Sequence, residues 1–415
     1  MSNSKKNIVI SGAGFGGITA ALTLAKRIGP HRDTHEIILI DRHHHQLYTP
    51  SLYQIAAIAL EDATTSSLKS SILIPLADIF KNKPVLLITD EIIGFEFHNK
   101  KLALRSFGQL PYEFLVLALG AETAYYDIPG LKEYSFPLKT FDDALRLRNV
   151  IEENFKTKSS IKITIGGGGA SGVELAAEFV GFICHIAEKF TKKRVCEMEL
   201  VLIEASPQIL PGFSASIIKK SGIRLRALGV QILTGSPIIG VQKNEATLQN
   251  GHKEKFDVLI WTGGVVGPTI LKKSGLTLSE KNSAEVNQCL QTIDFENIFA
   301  VGDNAMFINP KTGKALPGSV PIAKTEGRLA ARNIIRAIEG KPPKKFTPLA
   351  HYPFILAVGK KYAIADLIII HFSGIFGWIA KELIELRYFL FILPIHKALR
   401  TWYNSIKIIQ MHKMR

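Results

Sequence analysis

Two glycine-rich loops are the segments of this sequence whose residue types and spacing could support chemistry. In the first loop Gly12, Gly14 and Gly17 fit the pattern G-x-G-x-x-G, and Gly16 lies between the last two. The first glycine of this pattern permits a tight turn, the second lets the backbone approach a pyrophosphate, and the third lets a helix pack closely on a strand. Because free amides and the helix dipole at the following helix N-terminus favour negative charge, the loop predicts a dinucleotide-binding turn.

The residues around the first loop are those that such a turn requires. The apolar run Ile8–Ile10 before it predicts a strand, and the Ala- and Leu-rich residues 20–25 after it predict a helix. Asp41 follows the next predicted strand, Ile37–Ile40, where its carboxylate can accept hydrogen bonds from a ribose diol. A glycine turn that binds nothing is the alternative interpretation.

A second loop of the same design lies in the middle of the chain. Gly167, Gly169 and Gly172 repeat the spacing, and Glu204 ends the predicted strand Leu200–Ile203. A carboxylate at that position accepts a hydrogen bond from a ribose 2′-hydroxyl and repels a 2′-phosphate. The second loop therefore favours NADH over NADPH.

One chain with two such loops must hold two dinucleotides, or one dinucleotide and a vestige of a second site. Two nicotinamide sites would have no obvious chemistry, whereas FAD in one site and NADH in the other provide a hydride acceptor and a hydride donor. Asp303 supports this interpretation, because it follows the apolar strand Asn297–Val301 and a glycine, where a carboxylate can reach a flavin ribityl hydroxyl. A turn or helix-capping role is the alternative for Asp303.

The elements that must position these residues are strands alternating with helical stretches, which predict parallel sheets covered by helices. We therefore expect an α/β fold with two Rossmann-like FAD/NAD(P)-binding domains and a C-terminal amphipathic helical membrane-anchoring segment. The predicted boundaries are residues 1–119 for the first part of the FAD-binding domain, 120–285 for the NADH-binding domain, 286–345 for the second part of the FAD-binding domain, and 346–415 for the C-terminal membrane-association region.

Composition excludes several classes of protein. Hydrophobic residues make up 47% of the 415 residues and charged residues 21%, which is the profile of a folded chain rather than a disordered one. The three cysteines form no CxxC pair, so neither a zinc site nor a dithiol redox centre is indicated, and we expect no metal. The formal net charge of +15 favours an anionic partner.

Much of that charge lies in the last part of the chain. From residue 341 onward basic residues outnumber acidic ones by twelve to three, and aromatic and aliphatic residues lie between them. Such a mixture on helices is typical of a segment in a membrane interface, and we expect an anionic membrane surface as its partner. The run Ala363–Ala380 is interrupted by Asp366 and His371, which argues against a membrane span. Packing in the core or in a dimer interface is the alternative role of these apolar residues, and we expect a homodimer. We expect no nucleic acid partner, because no nucleic-acid-binding motif is recognised.

The order of further motifs resembles a known family. Over nearly its whole length the chain is similar to the type II NADH dehydrogenases, which are single-subunit NADH:quinone oxidoreductases of the two-dinucleotide-domain flavoproteins. Besides the first loop, the matching segments are YTPSLYQ at Tyr48–Gln54, ALGAET at Ala118–Thr123, LKTFDDALRLRN at Leu138–Asn149, GGGASGVELAAE at Gly167–Glu178, IEASPQILPGF at Ile203–Phe213, IWTGGV at Ile260–Val265 and FAVGD at Phe299–Asp303.

The resemblance implies a function and a set of binding residues. It implies hydride transfer from NADH to non-covalent FAD, reduction of a quinone by the flavin without proton pumping, and a peripheral (monotopic) position on the cytoplasmic face of the cell inner membrane. It implies that FAD is held by Gly12, Gly14, Gly17, Asp41, Gly120 and Asp303 and NADH by Gly167, Gly169, Gly172 and Glu204, with Gly16, Gln54 and Gly263 as further cofactor-binding candidates.

Two residues are catalytic candidates. In the family a glutamate at the place of Glu174 lies near the nicotinamide and the flavin, although an acid that stabilises a helix N-terminus is the alternative. Lys324 could stabilise a reduced, anionic flavin, or it could be a surface lysine. It lies in the segment Val320–Gly327, where the family carries Ala-Gln…Gln-Gln-Gly and this chain lacks the glutamines. Another acceptor, or a non-catalytic flavoprotein that senses redox state, is therefore the alternative function; a sulfide:quinone oxidoreductase would need redox cysteines beside the flavin.

Overall fold

The computed structural model describes residues 5–191, 199–349 and 352–411. Its helices are α1 (Phe15–Arg27), α2 (Leu52–Ala56), α3 (Thr65–Ile72), α4 (Leu76–Ile79), α5 (Leu131–Tyr134), α6 (Phe141–Thr157), α7 (Ala170–Thr191), α8 (Ala215–Ala227), α9 (Val320–Ile338), α10 (Ile375–Ile392) and α11 (Ile395–Met411).

The strands include those predicted on either side of each glycine loop. They are β1 (Lys6–Ser11), β2 (His35–Asp41), β3 (His45–Leu47), β4 (Leu73–Pro75), β5 (Leu86–Thr89), β6 (Ile92–Glu96), β7 (Lys101–Leu104), β8 (Gly108–Pro111), β9 (Phe114–Leu117), β10 (Glu122–Thr123), β11 (Phe136–Pro137), β12 (Lys162–Gly166), β13 (Glu199–Ile203), β14 (Gln231–Leu233), β15 (Ile238–Gln242), β16 (Glu245–Leu248), β17 (Lys253–Lys255), β18 (Val258–Trp261), β19 (Val265–Val266), β20 (Ala284–Glu285), β21 (Ile298–Ala300), β22 (Ala305–Met306), β23 (Phe354–Ala357), β24 (Ala363–Asp366) and β25 (His371–Gly374).

The chain divides into two compact units. Unit 1 comprises residues 1–46, 74–122 and 265–350, and unit 2 comprises residues 47–73, 123–264 and 351–415. Two stretches lie in another unit than the predicted boundaries imply. Residues 47–73 pack in unit 2, where α2 contacts α6 and α7, and residues 265–285 pack in unit 1. The tail joins unit 2 because α11 packs on α3.

Unit 1 is built on a five-stranded parallel sheet of order β21-β9-β1-β2-β5. Ile8 in β1 lies between Ile37 of β2 and Phe114 of β9, and apolar side chains fill both faces. The carboxyl ends of parallel strands meet at one edge of a sheet, so β1, β2 and β21 bring the first loop, Asp41 and Asp303 to that edge. A β-meander of β6, β7 and β8 packs through Leu102 and Leu104 on the same core.

Unit 2 repeats this architecture with a parallel sheet of order β11-β18-β12-β13-β14. The helix after its loop, α7, is long and strongly apolar, and within the described residues it alone has the length and hydropathy to cross a membrane. Most of that stretch is buried inside unit 2, including Phe179 and Phe182 at its middle. The apolar character of α7 is therefore explained by its position in the protein core.

The C-terminal region begins with a small sheet. Within the region predicted to contain a helical membrane-anchoring segment, Ala363–Gly374 forms β24, β25 and the turn between them. Asp366 explains the turn, because its carboxylate accepts the backbone N–H of Ile368 at 3.1 Å, a local bond that competes with helix formation. The helices α10 and α11 follow, as predicted for an amphipathic anchor.

Candidate cofactor sites and a buried acid cluster

The first glycine loop has the geometry that its sequence predicts. Gly12 has φ of +104°, and a Cβ there would collide with the carbonyl oxygen of Ala118 in the neighbouring strand connection. A Cβ on Gly17 would collide with the carbonyl oxygen of Gly12, so α1 lies directly against the turn. Gly14 is the N-cap of α1, a Cβ added there would meet only the carbonyl oxygen of Ala118 at 3.9 Å, and α1 has no acid in its first turn. The first-turn amides of α1 therefore face open space suited to an anion.

Asp41 closes the first loop from the next strand. Its Oδ2 accepts the N–H of Ala13 at 2.7 Å, and its Oδ1 accepts the N–H of His43 at 2.8 Å. Each carboxylate oxygen keeps a second lone pair, so the group can still accept hydroxyl hydrogen bonds. Asp41 is thus placed and oriented as a ribose-binding acid requires.

A cavity of about 510 Å³ in unit 1 adjoins the loop that carries Asp303. Asp303 belongs to the single 3-10 turn Gly302–Asn304 after β21, and its backbone oxygen accepts the Ser283 hydroxyl at 2.9 Å. Asn304 is fully buried and accepts the Gly120 N–H at 2.8 Å, while its Nδ2 has no hydrogen-bond partner among the described residues. Ser319 Oγ, on the cavity wall, is similarly unpartnered there. These groups, with the open amides of α1, fit a ligand that carries a pyrophosphate and a polyol, as FAD does.

Gly16 has a role in helix packing. A Cβ on Gly16 would lie 2.9 Å from Cγ2 of Val301, and a Cβ on Gly327 would collide with the carbonyl oxygen of Gly16. Gly16 and Gly327 therefore let α1 and α9 cross closely. A direct contact of Gly16 with a cofactor stays a prediction.

The second glycine loop reproduces the first. Gly167 has φ of +107°, and a Cβ there would lie 2.6 Å from the backbone of Gly263. A Cβ on Gly172 would collide with the carbonyl oxygen of Gly167, whereas Gly169 has no neighbour within 4 Å. Gly263 has its own constraint, because a Cβ there would collide with the indole ring of Trp261. The loop thus provides a second tight turn with an open helix N-terminus.

Glu204 occupies in unit 2 the place that Asp41 has in unit 1. Its Oε2 accepts the N–H of Gly168 at 2.6 Å, its Oε1 accepts the N–H of Ser206 at 2.7 Å, and the residue is 8% exposed. The backbone bonds fix the carboxylate beside the loop and leave lone pairs for a ribose. Its role in selecting NADH stays a prediction.

Glu174 lies on the first turns of α7 beside the C-terminal sheet. Its Oε1 accepts the N–H of Ala357 in β23 at 3.3 Å. Burial raises the pKa of Glu174 to about 7; Lys381 and the Ala357 N–H act in the opposite direction, and Glu178 reinforces the rise. Glu178, one turn further along α7, also has its pKa raised to about 7 by burial, against the effect of Lys381. Both carboxyl groups can therefore gain or lose a proton near neutral pH.

Lys381 in α10 is the cation of this buried acid cluster. Its Nζ lies 3.4 Å from Glu382 Oε1 and 3.8 Å from Glu385 Oε2. Burial lowers the pKa of Lys381, but Glu385, Glu382 and Glu174 outweigh burial, so that the net pKa is raised. Ser405 of α11 donates a 2.6 Å hydrogen bond to Glu385, which ties the two terminal helices together. Lys381 therefore offsets part of the negative charge of Glu382 and Glu385 in α10 and of Glu174 and Glu178 in α7.

The two remaining candidate residues, Gln54 and Lys324, lie in different units. Gln54 is buried in α2 of unit 2, and Lys324 lies in α9 of unit 1. The roles assigned to both stay predictions. Sequence analysis did not identify Glu178, Glu326 or Lys381; the spacing of Glu174 and Glu178 by one helical turn was the available signal for the first of these.

Two cysteines and one cluster of candidate metal ligands among the described residues lie outside the two glycine loops. Cys184 in α7 is disulfide-bonded, and Cys289 is free. Glu61, Asp62 and His185 bring ligand atoms within 4.8 Å of one another, but Lys189 Nζ already lies 2.7 Å from Glu61. The absence of a bound metal stays a prediction.

Comparison with known proteins gives consistent relatives. The sequence profile of the pyridine nucleotide-disulphide oxidoreductase family matches residues 6–327. A type II NADH:quinone oxidoreductase of Staphylococcus saprophyticus is 25% identical over 359 residues, covering 83% of this chain and 86% of the relative. The demethylphylloquinone reductase NdbB of Synechocystis is 27% identical over 396 residues, covering 93% of both chains.

A solved structure extends the likeness to the fold. NDH2 from Plasmodium falciparum, determined in complex with NADH, superposes with a TM-score of 0.81 at 19% identity, over 97% of this chain and 98% of that chain. At this identity the match shows a shared fold. It includes the region of the C-terminal sheet and helices, which lies beyond the segment that the family profile matches.

Proposed function

We propose that this chain, which belongs to the pyridine nucleotide-disulphide oxidoreductase family, oxidises NADH and transfers the electrons through non-covalent FAD to a membrane quinone. The observation that carries the proposal is the duplicated loop: each unit has a positive-φ glycine, an open helix N-terminus and a strand-end carboxylate fixed by two backbone N–H groups. The names of the relatives support NADH and a quinone as the substrates.

We assign FAD to unit 1, because the cavity beside Asp303 lies there, and NADH to unit 2. Gly12, Gly14, Gly17 and Asp41 of unit 1 would hold the ADP part of FAD, and Asp303 would bind its ribityl chain. Gly167, Gly169, Gly172 and Glu204 of unit 2 would hold NADH. Bound FAD would supply the two-electron step, accepting hydride from NADH and returning two electrons to the quinone. The protein's part is orientation, because holding the reacting groups together removes much of the entropic barrier.

Glu174 is proposed to hold the proton that quinone reduction consumes. NADH, one proton and a quinone give NAD⁺ and a quinol, so one proton must enter for each turnover. A carboxyl group with a pKa of about 7 is suited to deliver and recover that proton at neutral pH. Lys381 keeps the site electrically balanced after Glu174 ionises.

An anaerobic titration tests the whole proposal. The purified protein should be yellow, NADH should bleach it, and menaquinone or ubiquinone analogues should restore the colour. A correctly folded protein that neither retains nor rebinds flavin would end the proposal. Bleaching without recovery by any quinone analogue would instead support a different acceptor or a sensor role.

Glu174→Gln separates the two half-reactions. The amide cannot release a proton, so we expect a quinone half-reaction slowed by about 10²–10⁴-fold and NADH bleaching that is nearly unchanged. The wild-type rate should fall as pH rises through 7, because the proton is then lost, and the variant should lack this dependence. Stopped-flow recovery of the flavin colour measures both, and an unchanged recovery rate rejects the role of Glu174.

The terminal helices are proposed to bind an anionic membrane surface at the cytoplasmic face of the inner membrane. Ile395, Leu399 and Tyr403 are exposed at four-residue spacing along α11, and Phe376 in α10 is 70% exposed. Such apolar stripes beside exposed cations are typical of a helix that lies in the interface. Salt-dependent pelleting with anionic vesicles but not with DNA would support this surface.

We also propose a homodimer, which light scattering in detergent would test.

A further inference from the structure

Glu326 is a buried carboxyl group in the wall of the cavity beside Asp303. It lies in α9 and is 2% exposed, and its Oε2 accepts the backbone N–H of Gly302 at 2.7 Å. Gly302 begins the turn that carries Asp303, so the carboxyl group of Glu326 also fixes that turn. The hydrogen bond uses one carboxyl oxygen, and the side chain contributes to the surface of the 510 Å³ cavity.

The charges near Glu326 favour its neutral form. Burial raises the pKa of Glu326 to about 8; the Gly302 N–H opposes this rise, and the Asp303 carboxylate reinforces it. Among the described residues no cation contributes to the shift. At pH 7 the group is therefore mostly a carboxylic acid, which has one O–H to donate.

The elements packed around Glu326 do not change this balance. From α1 the nearest group is the backbone of Gly16, which contacts Gly327 next to Glu326. Across the cavity wall the charged residues are Glu280, Lys281 and Glu285, two acids and one base. On α9 itself Lys324 and Arg328 lie two residues on either side of Glu326, so its surroundings contain both signs of charge and burial is the main cause of its raised pKa.

We propose that Glu326 is a further cofactor-binding residue, which donates a hydrogen bond from its protonated carboxyl group to an oxygen of FAD. This inference rests on the proposed FAD site in unit 1. The pyrophosphate and the ribityl chain of FAD offer acceptor oxygens, and a neutral donor adds no negative charge beside Asp303. An ionised Glu326 has no hydrogen to donate and repels the pyrophosphate. FAD affinity should therefore fall as pH rises through the titration of this group.

The test is the dissociation constant of FAD between pH 6 and pH 9.5, measured by flavin fluorescence on the full chain after removal and return of the cofactor. For the wild type we expect affinity to weaken about tenfold between pH 7 and pH 9, which corresponds to one pKa unit of linkage. Glu326→Gln keeps a donor and keeps the acceptor for Gly302. This variant should bind FAD within about threefold of the wild type at pH 7. Its FAD affinity should not show the fall between pH 7 and pH 9 that the titration of Glu326 causes in the wild type.

Glu326→Met is the second variant, because the methionine side chain has a similar length but neither a hydrogen-bond donor nor a strong hydrogen-bond acceptor. It should bind FAD more weakly than Glu326→Gln at every pH. A wild-type affinity that does not change with pH overturns the proposal without any variant. Equal pH dependence in wild type and Glu326→Gln, or wild-type affinity in Glu326→Met, overturns it as well. If the wild type binds no FAD at any pH, the proposed function itself fails, which is a different result.

Discussion

The two glycine loops have nearly the same backbone but different surroundings. In unit 1 a second helix, α9, crosses the loop helix at Gly16 and places the acid Glu326 behind the Asp303 turn. In unit 2 the loop helix α7 instead receives the C-terminal sheet and α10, which bring Lys381 to Glu174. The difference teaches that the turn itself, which is the same in both units, does not distinguish them. The elements that later parts of the chain add to each unit determine which chemistry takes place beside it.

The largest expected effect comes from the third glycine of each loop. In Gly17→Ala and Gly172→Ala the added Cβ collides with a backbone oxygen, which should cost about 1–3 kcal/mol or more and disturb the turn. We expect Gly17→Ala to lack flavin, and Gly172→Ala to stay yellow but resist bleaching by NADH. Absorption spectra with and without NADH measure both.

Gly29→Ala and Gly240→Ala are the matched controls, since a Cβ at either position meets nothing within 4 Å. Both should keep flavin and NADH reactivity. A colourless Gly172→Ala protein that is folded would contradict the assignment of different nucleotides to the two loops.

The strand-end acids should give the next largest effect. Asp41→Asn and Glu204→Gln weaken two charge-assisted hydrogen bonds to backbone N–H groups, each bond being worth about 1.5–3 kcal/mol. We expect weaker FAD binding in the first variant and a higher KM for NADH in the second. Glu204→Gln should also narrow the preference for NADH over NADPH, because a neutral amide does not repel a 2′-phosphate. An unchanged ratio of kcat/KM for the two substrates would remove Glu204 from the specificity argument.

The pH dependence of stability tests the acid cluster of unit 2. In the folded protein the pKa of each of these carboxyl groups is raised to about 7, whereas its ordinary pKa is near 4.5. Between these two pH values the folded state therefore binds more protons than the unfolded state. The contribution of each carboxyl group to stability is complete below pH 4.5 and is lost as pH rises through 7. We expect Glu178→Gln to raise the free energy of unfolding at pH 8 by roughly 1–3 kcal/mol relative to the wild type, with little change near pH 5.

Urea unfolding at the two pH values measures this effect. Glu153→Gln is the control, because that side chain is 69% exposed on α6. If both variants respond alike, the carboxyl groups of α7 do not titrate as the burial of the cluster implies.

The smallest expected effect concerns the exposed cations of the tail. Arg400→Gln or Lys407→Gln removes one positive charge from α11, which should weaken binding to anionic vesicles by about 1 kcal/mol, close to fivefold. Lys272→Gln in unit 1 provides a control of equal charge change. Vesicle flotation at low salt compares the three proteins, and an equal loss in all of them would mean that net charge alone causes the attraction.

The sequence predicted those parts of the molecule that depend on neighbouring residues. The loops, their flanking strands and the acids Asp41 and Glu204 follow local patterns, since each acid simply ends the strand next to a glycine turn. Glu326 and Lys381 were missed because their surroundings come from distant parts of the chain. The turn at Leu367–Ile370 between β24 and β25 was not predicted either, because a short apolar run has no clear period. No spacing rule connects such residues before the fold is known.

The C-terminal sheet packs closely on α7, and this contact limits which truncated versions of the protein are useful. A Cβ on Gly359 would lie 2.6 Å from the carbonyl oxygen of Ala177, and Ala357 bonds directly to Glu174. A shortened version that ends before residue 352 would lose more than the proposed membrane-binding helices. Water would reach Glu174 and Glu178, their counter-charge Lys381 would be missing, and proton transfer measured on such a version would describe a different site.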